Sequence, residues 1–171
     1  MLKGRETKKA FYGVEGEGTS PLLTRMKYFT DLSVSKNPIE YSRRYVDEKM
    51  ERNDVVGYSP SLSYGFDEYS GDAVLEDIVK ISNEELVGTD THRDIVMVDF
   101  SKEVSGGYYA IKRKYAVIPD SEGDSTDAYT FSGTFKAVGE KVIGIATISE
   151  PENGNSDNVN VITFAEAPTE A

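Results

Sequence analysis

The chain has 171 residues, the size of one domain or of one domain with a terminal extension. It contains no cysteine, which excludes disulfides, thiolate nucleophiles and cysteine-ligated metal sites. Its net charge of −11 has the wrong sign for gripping nucleic acid through phosphates, and it holds neither an apolar leader nor a long apolar run. We therefore expect a folded, soluble protein that has no export signal and binds no membrane.

The first half of the chain alternates apolar and polar residues with a period of two, which predicts strands. These predicted strands cover residues 8–12, 22–29, 31–35, 39–46 and 61–67. A long polar loop is expected at residues 47–54, where nearly every side chain is charged. The one predicted helix spans residues 72–82, with Asp72 as its N-terminal cap and apolar residues spaced by three and four.

In the second half of the chain the same alternation continues. The predicted strands cover residues 94–100, 107–118, 126–138 and 141–149. The last two are expected to form a tight hairpin around Gly139 and Glu140. Beyond them the composition becomes acidic and linker-like. We therefore divide the chain into a β domain at residues 1–149 and an acidic extension at 150–171 with one possible strand at 159–164. A lone strand is unstable, so this segment is expected either to dock on the domain or to pair with another copy.

The pattern of about eight strands and one helix predicts a mainly β fold. The expected architecture is a β-sandwich or partly closed barrel with one flanking α-helix. A helix of this length, with one apolar stripe, is expected to cover a face or an edge of the sheet.

Motifs that carry chemistry are scarce. His92 is the only histidine, it falls in a polar segment, and no nucleophile elbow accompanies it. We predict no enzyme activity, no catalytic residue, no cofactor and no metal site. An acid–base hydrolase is the enzymatic alternative, because the sequence does not decide whether two of its 30 carboxylates share a cleft.

The order of several segments resembles one known family. These segments are KAFYG at residues 9–13, LSVS at 32–35, VGYSPSLSYGF at 56–66 and YTFSGTFKA at 129–137, with the Asp72 helix between the last two. In this order they resemble the major tail protein, or tail tube protein, of long-tailed bacteriophages with non-contractile tails. The resemblance covers residues 1–150 and implies a phage tail tube-like β domain.

The resemblance also implies a function. Members of the family assemble as hexameric rings that stack into a tube, the conduit for phage DNA, which passes without specific binding. By resemblance the partners are other copies of the chain, the tape measure protein and the tail terminator. The expected location is the virion tail, assembled in the bacterial host cytoplasm. The alternative is a β-sandwich binding or decoration module of a virion or of a tube-like bacteriocin particle.

Two sets of residues are candidates for roles in such a tube. The first set has small or acidic side chains on one face of two predicted strands, and we expect it to face the lumen. It consists of Asp31, Ser33, Ser35, Ser61, Ser63 and Asp67. The second set is charged, is expected to be mobile in the isolated subunit, and is expected to order between subunits. It consists of Arg43, Arg44, Asp47, Glu48, Lys49, Glu51, Arg52 and Asp54.

Overall fold

The computed structural model describes residues 1–14, 21–148 and 161–167. These residues form eleven strands and one α-helix, so the chain is mainly β with a single helix, as predicted. The strands are β1 (Lys8–Val14), β2 (Leu22–Arg25), β3 (Phe29–Ser35), β4 (Pro38–Arg43), β5 (Arg52–Tyr58), β6 (Ser61–Asp67), β7 (His92–Val104), β8 (Gly107–Glu122), β9 (Thr130–Ala137), β10 (Val142–Ile148) and β11 (Val161–Glu166). The helix α1 spans Ala73–Asn83.

Six of the strands close into an antiparallel barrel in the order β10-β11-β2-β1-β7-β8, and β8 pairs again with β10. The strand β11 lies between β10 and β2 and completes the ring of hydrogen bonds. The segment predicted at residues 159–164 therefore docks on its own domain from Val161 onward, while residues 159 and 160 lie outside the described residues. The barrel is closed, where the sequence predicted a sandwich or a partly closed barrel.

The predicted hairpin at Gly139 and Glu140 is wrong. The strands on either side of it do not pair with each other, because both lie along the same side of β8. β9 pairs with the C-terminal half of β8, and β10 pairs with its N-terminal half. The backbone N–H of Val138 donates to the carbonyl of Lys114, so the chain continues in one direction past β8. A strand of 16 residues is long enough to pair with two shorter strands placed end to end.

The sheet has a core on each face. Alternation sends Phe11 to one side of β1 and Tyr12 to the other, and both are fully buried. The core on the Phe11 side is made only by barrel strands. It consists of Phe11, Val96, Val98, Ala110, Ala146 and Ile162.

The second core lies between the sheet and α1. The helix buries Val74, Leu75, Ile78 and Ile81 against Tyr12 and its neighbours. Asp72 accepts hydrogen bonds from the backbone N–H groups of Val74 and Leu75, which confirms it as the predicted cap. The strands β6 and β9 extend this face beyond the barrel and add Leu62, Tyr64, Phe66, Phe131 and Phe135 to the same core.

A long hairpin leaves the sheet at its edge. β3 and β6 pair within the nine-stranded sheet, and beyond them β4 and β5 form a separate two-stranded sheet. We call residues 38–58 the arm and the remaining described residues the body. The predicted polar loop at residues 47–54 is too long, because residues 52–54 belong to β5 and pair with β4. The hydrogen bonds of this pairing offset the low strand preference of Asn53 and Asp54.

Candidate assembly surfaces

The residues predicted to face a lumen lie on one face of β3 and β6. The register pairs Ser33 with Ser63, and their Oγ atoms are 2.6 Å apart. Ser63 Oγ also lies 3.2 Å from Asp31 Oδ2, and Ser61 Oγ accepts a hydrogen bond of 3.1 Å from Asn37. The antiparallel register and the period of two thus bring the six predicted side chains together on a surface that is exposed or half-buried.

The same face continues onto two more strands that the sequence interpretation missed. Thr130, Ser132 and Thr134 of β9 lie across from Asp67, Gly65 and Ser63 of β6. Beyond β9, the Ser121 hydroxyl of β8 is 2.7 Å from that of Ser132. The signal was present, because these β9 residues alternate with Phe131 and Phe135. We call the combined surface the polar face: Asp31, Ser33, Ser35, Ser61, Ser63, Asp67, Ser121, Thr130, Ser132 and Thr134.

The opposite face of these strands is closed by aromatic packing. The rings of Tyr64 and Phe135 stack with centroids 4.5 Å apart, and those of Phe66 and Phe131 stack at 5.4 Å. Burial raises the pKa of Tyr64, since a phenolate would be desolvated there. On β6 and β9 the sheet therefore buries its aromatic side and leaves the polar face free for a partner or for solvent, whereas Val34 at the β3 edge remains exposed.

The arm holds all eight residues of the predicted inter-subunit set. Arg43 lies in β4, Arg52 and Asp54 lie in β5, and the other five lie in the connecting loop. Glu48 forms an ion pair with Arg52, whose guanidinium also lies 5.7 Å from the Tyr45 ring centroid. The loop thus pairs part of its charge internally.

Apolar side chains on the arm are exposed to an unusual degree. No residue of the arm is buried, yet the arm carries many large apolar and aromatic groups. The exposed ones are Ile39, Tyr41, Tyr45, Val46, Met50, Val55, Val56 and Tyr58. An isolated two-stranded sheet without a core is marginally stable in water, so this composition favours an arm covered by a partner.

The base of the arm is fixed to the body by hydrogen bonds. Asn37 has a positive φ of 45°, and its side-chain amide donates to the Ser59 carbonyl and the Ser61 hydroxyl, both at 3.1 Å. The Ser59 N–H donates in turn to the Asn37 carbonyl. An asparagine tolerates this backbone conformation better than most residues, so Asn37 suits the joint between arm and body.

The strand β3 is the free edge of the sheet. Among the described residues it is the one strand of the nine-stranded sheet with a single neighbour. A groove of about 650 Å³ runs between this edge and the start of the chain, and it is lined in part by Arg5, Lys8, Arg25 and Leu32. Arg5 crosses the groove and donates to the Leu32 carbonyl at 3.2 Å.

A buried polar network joins the helix to the barrel. Arg93 donates through Nε to Asp77 at 2.9 Å, and the Tyr12 hydroxyl donates to the same carboxylate. Burial, reinforced by the Asp77 charge, raises the pKa of Tyr12 well above its usual value. No local sequence pattern indicates this network, because its members are far apart along the chain.

The described residues contain no group of three or more histidine, aspartate or glutamate side chains placed to hold a metal ion. His92, expected in a polar loop, is the first residue of β7 and is half-buried. None of the described helices has the length and apolar character needed to cross a membrane.

The sequence matches no protein-family model, and no curated protein is significantly similar to it.

Proposed function

We propose that this chain is a structural virion protein that assembles into stacked hexameric rings and so forms the tail tube of a long-tailed phage. The tube is the conduit for DNA ejection. It encloses the tape measure protein and ends at the tail terminator. The proposal assigns no catalysis. The observation that carries it is the arm, an extended hairpin with eight exposed apolar or aromatic residues and no core of its own.

The arm supports assembly because its apolar surface has no partner within the subunit. Burying apolar surface contributes about 25 cal/mol per Å². Contact with a neighbouring copy would remove several large side chains from water at once. The charged loop residues at the tip would then exchange internal pairing, such as that of Glu48 with Arg52, for contacts between subunits.

The polar face supports a conduit for DNA. A surface of hydroxyls and carboxylates offers phosphates little attraction, and a chain with a net charge of −11 repels them. The face is also continuous over the strands β3, β6, β9 and part of β8. A lining of this kind lets DNA slide without binding.

Electron microscopy of the purified protein across a concentration series tests the proposal. We expect hollow rings or tubes at high concentration. The control is a variant without the arm, in which two glycines join Asn37 to Ser59. These two residues are already hydrogen-bonded to each other in the wild type. This variant should keep the circular dichroism of the body and remain monomeric.

A milder pair of variants separates the arm from general surface hydrophobicity. Val46→Ser with Val56→Ser removes two exposed apolar residues of the arm, and Leu22→Ser with Val87→Ser removes two from the body. Only the first pair should weaken assembly. Equal effects of the two pairs, or an intact wild type that stays monomeric at every concentration, would contradict the proposal.

A binding or decoration module of a virion or of a tube-like bacteriocin is the second candidate. The observation that favours it is the stacked pair Tyr28 and Tyr69, whose ring centroids are 4.2 Å apart and which are each about 50% exposed. Exposed aromatic rings are a usual platform for sugars and peptides. Under this alternative the protein stays monomeric, and Tyr69→Ala abolishes binding to the particle.

A further inference from the structure

The free edge of β3 exposes backbone groups that a second strand would satisfy. The Leu32 carbonyl points away from β6, since it accepts from Arg5. Backbone groups two residues apart in a strand point the same way, so Val34 also directs its N–H and C=O to the free side. Edges of this kind recruit further strands unless they are covered.

The side chain of Arg5 covers part of this edge. The Arg5 guanidinium donates to the Leu32 carbonyl at 3.2 Å and to the Lys8 carbonyl at 2.7 Å. Arg5 lies in a single 3-10 turn, Arg5–Thr7, directly before β1. The guanidinium therefore links the start of the barrel to the unpaired edge and stands where another strand would enter.

We propose that Arg5 guards the β3 edge: it holds the edge closed in the isolated subunit and must release the Leu32 carbonyl before a strand of a second copy pairs there. This inference rests on the proposed self-assembly and adds a contact that regulates when assembly begins. The contact with the edge is exposed and consists of one hydrogen bond, so an incoming strand that bonds to both Leu32 and Val34 displaces it. The guard therefore sets the concentration at which assembly begins and does not prevent assembly.

A second copy of the chain is the occupant that this edge fits. The exposed groups are backbone donors and acceptors, which an extended strand satisfies and a helix does not. The charged side chains that line the groove beside the edge are mostly basic, on a chain whose net charge is −11. Four are basic and two acidic: Arg5, Lys8, Lys9 and Arg25 against Glu6 and Asp31. A second copy of so acidic a chain is a complementary partner for this wall of the groove.

Arg5→Ala tests the guard, and Lys3→Ala is the matched control. Lys3 belongs to the same segment, and its substitution removes the same positive charge. Its ammonium group lies 3.5 Å from Asp99 of β7, so it forms its ion pair away from the β3 edge. The onset concentration of assembly is measured by light scattering and sedimentation, after circular dichroism has shown that each variant is folded. We expect Arg5→Ala to lower the onset about fivefold to tenfold and Lys3→Ala to leave it near the wild-type value.

A second substitution shows which edge is responsible. Val34→Pro removes an N–H on the free side and keeps the pairing with β6, because proline is tolerated on edge strands. In the Arg5→Ala background it should return the onset to the wild-type value or above. If Arg5→Ala assembles equally well with and without Val34→Pro, the β3 edge is not the site and the inference is overturned.

The outcomes separate the guard from the proposed function. If the wild type assembles and Arg5→Ala has the same onset as Lys3→Ala, or a higher one, the guard is overturned and self-assembly stands. If only Arg5→Ala assembles, the guard is supported and unaided assembly of the wild type is not. If both remain monomeric, both proposals are overturned, because an opened edge recruits no second copy.

Discussion

The body and the arm are built from the same kind of alternating sequence, yet they hold their shape in different ways. The body places aromatic and aliphatic side chains in two cores and buries the ion pair of Arg93 with Asp77. The arm buries no residue, and its ion pair, Glu48 with Arg52, is partly exposed. The body is stabilised by its own packing, whereas the arm has the composition of a surface that packs against something else.

The largest expected effect on stability comes from truncating a large side chain in the core of the body. Phe135 is fully buried and stacks on Tyr64, so Phe135→Ala should lower the free energy of unfolding by about 3–5 kcal/mol. Val46→Ala, on a fully exposed residue of the arm, should leave it unchanged. Urea unfolding of both variants makes the comparison. Similar losses in the two variants would mean that the arm is packed in the monomer after all.

The two ion pairs offer a second comparison. Asp77→Ala removes the carboxylate that pairs with Arg93, which keeps its hydrogen bonds to the carbonyls of Asp90 and His92. It also removes the acceptor of the Tyr12 hydroxyl, so the expected cost is about 2–3 kcal/mol. Glu48→Ala removes a partly exposed pair and should cost at most about 1 kcal/mol. Chemical denaturation measures both. A cost for Asp77→Ala as small as that for Glu48→Ala would show that water reaches Arg93.

Alkaline pH tests how firmly the body excludes charge. Burial raises the pKa of Tyr12, Tyr64 and Tyr115 above the usual 10.0. The folded state therefore holds these protons more tightly than the unfolded state does. Their contribution to stability is complete below pH 10 and is lost as the pH rises above it. We expect tyrosinate absorbance to show them ionising together with the loss of circular dichroism. Ionisation of all 11 tyrosines in an intact fold would contradict this.

Among the variants of the body, the smallest expected effect on folding is on the polar face. Ser63 is half-buried beside Ser33 and Asp31, and Ser63→Arg should change the free energy of unfolding by no more than about 0.5 kcal/mol. If the polar face lines the tube, the arginine places a ring of positive charge in the bore, and assembled particles eject DNA slowly. Normal ejection by such particles, or Ser63 on the outside of the tube, would refute the lumen assignment. Ser63→Thr is the neutral control.

Local patterns made several features predictable. The helix followed from its apolar spacing and from Asp72, since a cap and one turn are decided by neighbouring residues. The polar face followed from the alternation of Ser61, Ser63 and Asp67 with apolar residues, because a strand buries one side and exposes the other. The turn around Gly139 and Glu140 was mispredicted because its local chemistry suits a hairpin and the pairing partner, β8, lies earlier in the chain.

By itself the sequence determined a mainly β chain with one capped helix, a polar strand face and a charged segment without a core. These features depend on residues within a few positions of one another. The tertiary structure decided the rest: the closure of the barrel by β11, the split of β8 between two partners, the buried network of Tyr12, Asp77 and Arg93, and the edge that Arg5 covers. Each of these joins residues far apart in the chain, and strand pairing is selected by the packing of whole faces, which no local pattern encodes.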